Sequence, residues 1–278
     1  MPDSSRRQQG FTLIELIVVI VVLAIISFGS TQYIVNSVES YMDTAMRERQ
    51  GSAARVAVEK ISRELRNALP NSARISALGE CIEFIPVLGG SIYTSLPLTP
   101  AASNAFRSVP FIISGGPEIG RVAVYPLTPD EIYNPATDST TASSISPPLD
   151  PSVITADLEG STEILVQLSR AHQFPLDSPV RRWFMVSEPV SFCVDNAAKL
   201  FRYSGYGFNL VQPTPGGFGG LNEQVSGGRS LLAVGVSGSF VVQPATLQRN
   251  ALVQLDLDFR ERGEGLTIKH EVQLRNVP

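Results

Sequence analysis

Hydrophobic and polar positions divide the chain into three regimes. Residues 16–26 read LIVVIVVLAII without a polar side chain, and the run extends from Phe11 to Phe28 with only Thr12, Glu15 and Ser27 interrupting it. As a helix these residues measure roughly 27 Å, close to the hydrocarbon thickness of a bilayer. Beyond the run the period is helical. Residues 30–69 contain no proline, and Ala54, Val58, Ile61, Leu65 and Ala68 recur at spacings of three and four, so they form one apolar stripe. Arg55, Glu59, Arg63 and Arg66 fall on the other faces, with Glu59 and Arg63 spaced for an i,i+4 pair. Pro70 stops the pattern, which predicts one helix from Phe11 to Leu69. A regular heptad lasts only about two repeats, so packing on a sheet is favoured over a coiled coil.

After Pro70 the period changes to two. Cys81–Val87, Arg121–Leu127, Ile164–Ser169, Trp183–Asp195, Lys199–Tyr206 and Leu231–Val242 read as strands rich in β-branched and aromatic residues. Val253, Leu255, Leu257 and Phe259 alternate with polar residues, residues 261–265 turn the chain, and Leu266, Ile268, Val272 and Leu274 alternate again. That is a hairpin with one buried face. A long helix followed by many strands predicts an α+β fold. Residues 126–152, rich in Pro, Ser and Thr, and residues 212–228, rich in Gly, read as long loops.

Composition sharpens this picture by exclusion. With 43% hydrophobic and 17% charged residues the chain is not intrinsically disordered. A net charge of −4 and a pI near 5.3 lack the basic footprint of a nucleic-acid binder. The surplus of apolar residues sits at the N-terminus, behind MPDSSRRQQG. There Arg6 and Arg7 would hold the N-terminus in the cytoplasm and leave the rest outside. A secretory signal peptide is the competing reading, but the run is longer than an ordinary signal core. Ile26-Ser27-Phe28-Gly29 is also a poor cleavage site. Glu15 stands out, because a carboxylate inside an apolar span is costly and calls for a partner.

Gly10-Phe11-Thr12-Leu13-Ile14-Glu15-Leu16 resembles the prepilin N-terminal signal of type IV pilins and type II secretion pseudopilins. The resemblance implies cleavage after Gly10 by a prepilin peptidase and N-methylation of Phe11. It also implies a retained apolar helix, first an inner-membrane anchor and then the filament core. Glu15 would answer the amine of Phe11 on a neighbouring subunit. Opposite charges at ~4 Å attract by about 4 kcal/mol at an effective dielectric of 20. A misregistered subunit would leave both charges unpaired. The stretch VAVEKISRELRNALPNSARI (residues 56–75) is similar to the larger minor pilins, among them J-type pseudopilins and the MshO-type minor pilins of the mannose-sensitive haemagglutinin (MSHA) pilus. The likeness covers residues 6–75 and rests on general architecture thereafter.

The organisation it implies is a leader (1–10), a membrane and filament-core helix (11–34), an amphipathic second half (35–69) and a β-rich extracytoplasmic head (70–278). The fold implied is pilin-like, a helix on an antiparallel sheet. The partners implied are prepilin peptidase, other major and minor pilins through the N-terminal helix, the inner membrane and the pilus assembly machinery. No nucleic acid and no cofactor are expected. Three readings follow: a minor pilin acting in a tip or initiation complex, a minor pseudopilin, or a membrane-anchored adhesin or carbohydrate-binding protein that never polymerises. A hydrolase on such an anchor ranks below these.

Cys81 and Cys193 fall on separate predicted strands, and an oxidising compartment outside the cytoplasmic membrane favours a disulfide over two buried thiols. His172 falls in a loop-like stretch and His270 on the apolar face of the last strand, where a core role outweighs a catalytic one. Neither makes a metal spacing with the cysteines. Asp256 and Asp258 suit the outer face of a half-buried strand better than calcium binding. No nucleophile elbow, phosphate loop, HExxH or paired-acid constellation is present, so no catalytic or metal site is expected.

Overall fold

The first element of the computed structural model is a helix, α1, Leu13–Arg66. The structure describes residues 11–110, 120–135, 141–150, 163–216, 220–225, 228–245, 249–261 and 263–274. The chain divides into two units, Met1–Gln50 and Gly51–Pro278. In the first, every residue from Phe11 to Ala45 is exposed.

In the second unit, the last turns of α1 bury Ala54, Val58, Ile61 and Leu65 of the stripe that the periodicity marks, with Ala57 beside them and Ala68 buried just past the helix, while Arg55, Glu59, Arg63 and Arg66 stay exposed. Lys60 and Glu64 form an i,i+4 ion pair at 3.5 Å, whereas Glu59 and Arg63, spaced for one, do not. Arg202 also reaches Glu64, at 2.9 Å, which ties the helix to a strand. The helix ends three residues before Leu69. Leu69 N–H donates to Ile85 O (2.8 Å) and Val87 N–H to Asn67 O (2.9 Å), so strand-like pairing takes over the chain before Pro70.

Among the described residues fourteen strands follow, in three sheets. The first sheet has the order β1 (Arg74–Ile75), β2 (Cys81–Phe84), β9 (Val190–Val194), β10 (Lys199–Ser204) and β11 (Arg229–Val234). The second is β12 (Val236–Gln243), β13 (Leu252–Glu261) and β14 (Glu264–Gln273), antiparallel throughout. One core joins both to the helix: Ala54, Ile61 and Leu65 pack with Phe84, Phe192, Leu200, Phe240, Leu255 and Leu257.

The third sheet is an insertion. Its order is β6 (Ile145–Pro148), β5 (Arg121–Ala123), β8 (Arg182–Val186), β3 (Val87–Ser95), β4 (Ser103–Ser108) and β7 (Ile164–His172). The two ends of that order meet. Leu149 bridges Leu168, and Asp150 N–H donates to Gln167 O at 3.0 Å, so the sheet curls on itself. Tyr93, Phe106, Val122, Val166, Phe174, Trp183 and Met185 fill it. The chain enters and leaves side by side: Phe84 pairs with Val190 in the first sheet, and Val87 with Val186 in the third. Residues 87–186 are therefore carried on the tip of the β2–β9 pair.

Several sequence expectations are corrected. Trp183–Asp195 is two strands in different sheets, because Ser187–Pro189 breaks the ladder. Leu231–Val242 is likewise two strands, parted at Gly235, whose φ is +68°. The Pro/Ser/Thr-rich segment contains a short helix, α2 (Pro129–Tyr133), capped by the Thr128 side chain, and strand β6; the Gly-rich segment contains α3 (Leu221–Gln224). The last hairpin stays paired to Glu261–Glu264, so both of these residues belong to the strands and not to the turn. The α+β architecture of a long apolar N-terminal helix followed by antiparallel sheets, as in pilins, is observed.

Candidate functional site

The site begins at the first turn of α1. Thr12 precedes the helix, and its Oγ1 accepts from Glu15 N–H at 3.3 Å while its carbonyl accepts from Leu16 N–H at 3.2 Å. Thr12 is thus the N-cap and Glu15 the third helical residue, the T-x-x-E signature of a capping box. That role of Thr12 was readable from the spacing and is a second use of the same motif. Glu15 sits where unsatisfied N–H groups favour negative charge. Phe11 is 83% exposed just ahead of it. Gly10, Arg6 and Arg7 lie outside the described residues.

Between Glu15 and Glu39 the helix carries no charged residue, a stretch of roughly 34 Å. Among the described residues α1 is the one helix long and apolar enough to cross a membrane. Its aliphatic side chains are bare on all sides, from Leu13 and Ile14 through Phe28 to Val38. An apolar surface of this extent requires lipid or other apolar helices around it. Three hydroxyls in and beyond this stretch are satisfied by the helix itself. Thr31 Oγ1 donates to Ser27 O (2.8 Å), Ser37 Oγ to Tyr33 O (2.7 Å) and Thr44 Oγ1 to Ser40 O (2.9 Å). Each hydroxyl returns to the carbonyl one turn back and therefore needs no water.

In the second unit, Cys81 and Cys193 are direct cross-strand partners on β2 and β9 and are joined as a disulfide. The bridge lies in the stem that carries residues 87–186. Two residues further along β2, Glu83 is fully buried, a position that strand periodicity alone did not mark as special. Arg74 Nε donates to it at 2.5 Å and Tyr206 Oη at 2.9 Å. The same guanidinium donates to the carbonyls of Asn209 (2.6 Å) and Leu210 (2.7 Å) and lies 3.5 Å from the centre of the Tyr133 ring. Burial raises the Glu83 carboxyl above its ordinary range, and the Arg74 charge works against that rise. The cluster clamps the 206–210 loop and α2 onto the sheet. Arg74 and Glu83 are both hydrogen-bonded within it.

The histidines are placed differently from one another. His172 ends β7 instead of lying in a loop. It is buried, with Nε2 2.9 Å from Ser143 O and its ring edge-on to Phe174, and burial lowers its pKa. His270 faces the apolar side of β14, paired in register with Leu255. Asp256 pairs with Lys269 at 2.9 Å and Asp258 accepts from Thr267, so both carboxylates are engaged across the outer face of the hairpin. Among the described residues no group of three or more His, Cys, Asp or Glu side chains is placed to hold a metal.

Comparison with known proteins adds one match. Residues 5–31 match the family described as the prokaryotic N-terminal methylation motif. The match covers the leader and the first part of the apolar helix, and it supports a prepilin-type, type IV pilin-like or pseudopilin protein that is processed by prepilin peptidase and anchored in a membrane. Neither the curated proteins nor the solved structures contain a match to the chain.

Proposed function

We propose that this protein is a minor pilin of an MSHA-type type IV pilus. Prepilin peptidase cleaves it after Gly10 and the new N-terminus, Phe11, is methylated. Residues 11–34 hold it in the inner membrane as a single pass, with the N-terminus cytoplasmic and the head periplasmic. It then enters the pilus beside other pilins, in a tip or initiation complex. The role is structural and not enzymatic. One observation carries the reading: the methylation motif runs directly into a helix that buries no side chain from residue 11 to residue 45. A helix of that kind is made to be covered by neighbours, first lipid and then other helices.

Within the filament Glu15 would meet the methylated amine of a neighbouring Phe11. The cap at Thr12 fixes the backbone of Glu15 in the first turn of the helix, four positions after the residue that becomes the terminus. A minor pseudopilin of a type II secretion system is the second reading, favoured by the likeness of residues 56–75 to J-type pseudopilins.

Mass spectrometry of the mature protein tests processing, with N-methylphenylalanine at Phe11 as the expected terminus. A retained Met1, or cleavage after residue 26, would defeat the proposal. Glu15→Leu is expected to be processed and inserted normally yet to be missing from sheared filaments. Its normal incorporation would remove Glu15 from assembly. Deleting the MSHA major pilin separates the two pilus-like readings, because a pseudopilin would be unaffected.

A further inference from the structure

β14 is the outer strand of the second sheet, and among the described residues no strand lies against its far edge. Its ladder with β13 runs from Leu252–Gln273 to Glu261–Glu264 without a register shift. Ten residues of extended strand offer an open edge about 33 Å long. Leu274 N–H donates to Ala251 O at 2.9 Å, and that pair continues the register. Antiparallel pairing alternates, so the even-numbered residues from Glu264 to Val272 turn their backbone groups to β13. Gly265, Thr267, Lys269, Glu271 and Gln273 then turn theirs outward.

Natural sheets protect such edges with proline, bulges or charges that stand in the way. β14 has neither proline nor bulge. Its exposed polar side chains are drawn sideways onto β13 instead: Lys269 to Asp256, Thr267 to Asp258, Glu271 to Gln254. Beside the edge lies a groove of about 340 Å³ between β14 and the last turns of α1. Ile268 and His270 line it on the strand side, and Arg55, Glu59, Arg63 and Arg66 on the helix side. Three arginines face one glutamate there.

We infer that the β14 edge is a docking strand for an extended, acid-bearing segment of another polypeptide. The segment adds as a fourth strand to the second sheet, and its alternate carboxylates meet the arginines of the groove. Main-chain hydrogen bonds to residues 265–273 supply affinity, and the groove supplies sign selectivity. This interface is separate from the N-terminal helix and does not depend on the filament reading.

The test uses the full chain in detergent and a synthetic ten-residue peptide that alternates Glu with Val and Thr. Hydrogen exchange at the amides of Thr267, Lys269 and Glu271 is expected to slow by about tenfold or more on binding. Exchange at Ile268 and His270, already bonded to β13, should not change. Replacing Glu by Lys in the peptide, or N-methylating its alternate amides, should abolish the effect. Arg55→Glu with Arg63→Glu should weaken binding roughly five- to tenfold. Lys269→Pro should remove it, and Lys269→Ala should spare the backbone pairing. Should the proline variant not fold, the N-methylated peptide still decides whether the main chain is the ligand. Unchanged exchange at the outward amides, equal binding of the lysine peptide, or protection of β14 by a second copy of this chain would each overturn the inference.

Discussion

Replacing Arg74 by methionine removes the positive half of the buried pair on β1 and β2 and keeps most of the side-chain volume. Glu83 has no exposed side-chain surface and the Arg74 side chain only 13%. The substitution leaves a carboxylate in a dry site with Tyr206 as its remaining donor. It also strips a donor from the carbonyls of Asn209 and Leu210 and ends the contact with Tyr133. Breaking a buried pair from one side costs about 3–5 kcal/mol, a large part of the roughly 5–15 kcal/mol that holds a domain folded. Burial already places the folded-state pKa of Glu83 above its ordinary 4.5, with Arg74 opposing the rise. Without Arg74 it goes higher still. A raised carboxyl pKa means the folded state binds the proton more tightly than the unfolded chain does. The stability tied to it is therefore complete below the unfolded pKa and is lost as pH rises through the folded pKa. The variant should be weakest near neutrality and recover as pH falls towards 4.5. Urea unfolding, followed by fluorescence of the single, buried tryptophan Trp183, measures this. Adding Glu83→Gln should restore a good part of the loss at pH 7, because an amide tolerates burial where a lone charge does not. A loss that is independent of pH, or a double variant no more stable than the single one, would refute this account of the pair.

Two further predictions concern the frame around that cluster. Replacing Cys81 and Cys193 by serine should lower the unfolding free energy by about 2–5 kcal/mol, read from the urea midpoint, because the bridge closes a loop over a sequence separation of 112; an unchanged midpoint under non-reducing conditions would show that the stem needs no staple. Gly235→Ala should cost more than about 1 kcal/mol, since φ there is +68° and an added Cβ would stand 2.1 Å from Arg260 O, and a thermal midpoint equal to wild type would refute it.

The amphipathic half of α1 was readable from spacing alone, because three- and four-residue steps on one helix face are a local matter. The T-x-x-E cap and the last hairpin were equally readable. The breaks at Ser187–Pro189 and at Gly235 carry local marks, a proline and a glycine, but the sequence does not say that the strands on either side join different sheets. β4, with the sequence SNAFRS, carries little apolar pattern and becomes a strand through its neighbours β3 and β7. β6 contains two prolines, which fits its place at one end of the hydrogen-bonded order. Glu83 alternates like any surface carboxylate, and only the arrival of Arg74 and Tyr206 makes its burial tolerable.

The N-terminal motif, the uncharged helix behind it and the single carboxylate within it follow from the sequence by itself. Length, hydropathy and a cap between neighbours are properties of a short segment and need no distant partner. The tertiary structure alone decided that strands β3 to β8 curl into a closed sheet on the β2–β9 stem, that Arg74 and Glu83 meet, and that among the described residues β14 keeps an open edge. Each of these depends on which strands far apart in sequence come to share hydrogen bonds and exclude water, and a one-dimensional pattern does not carry that choice.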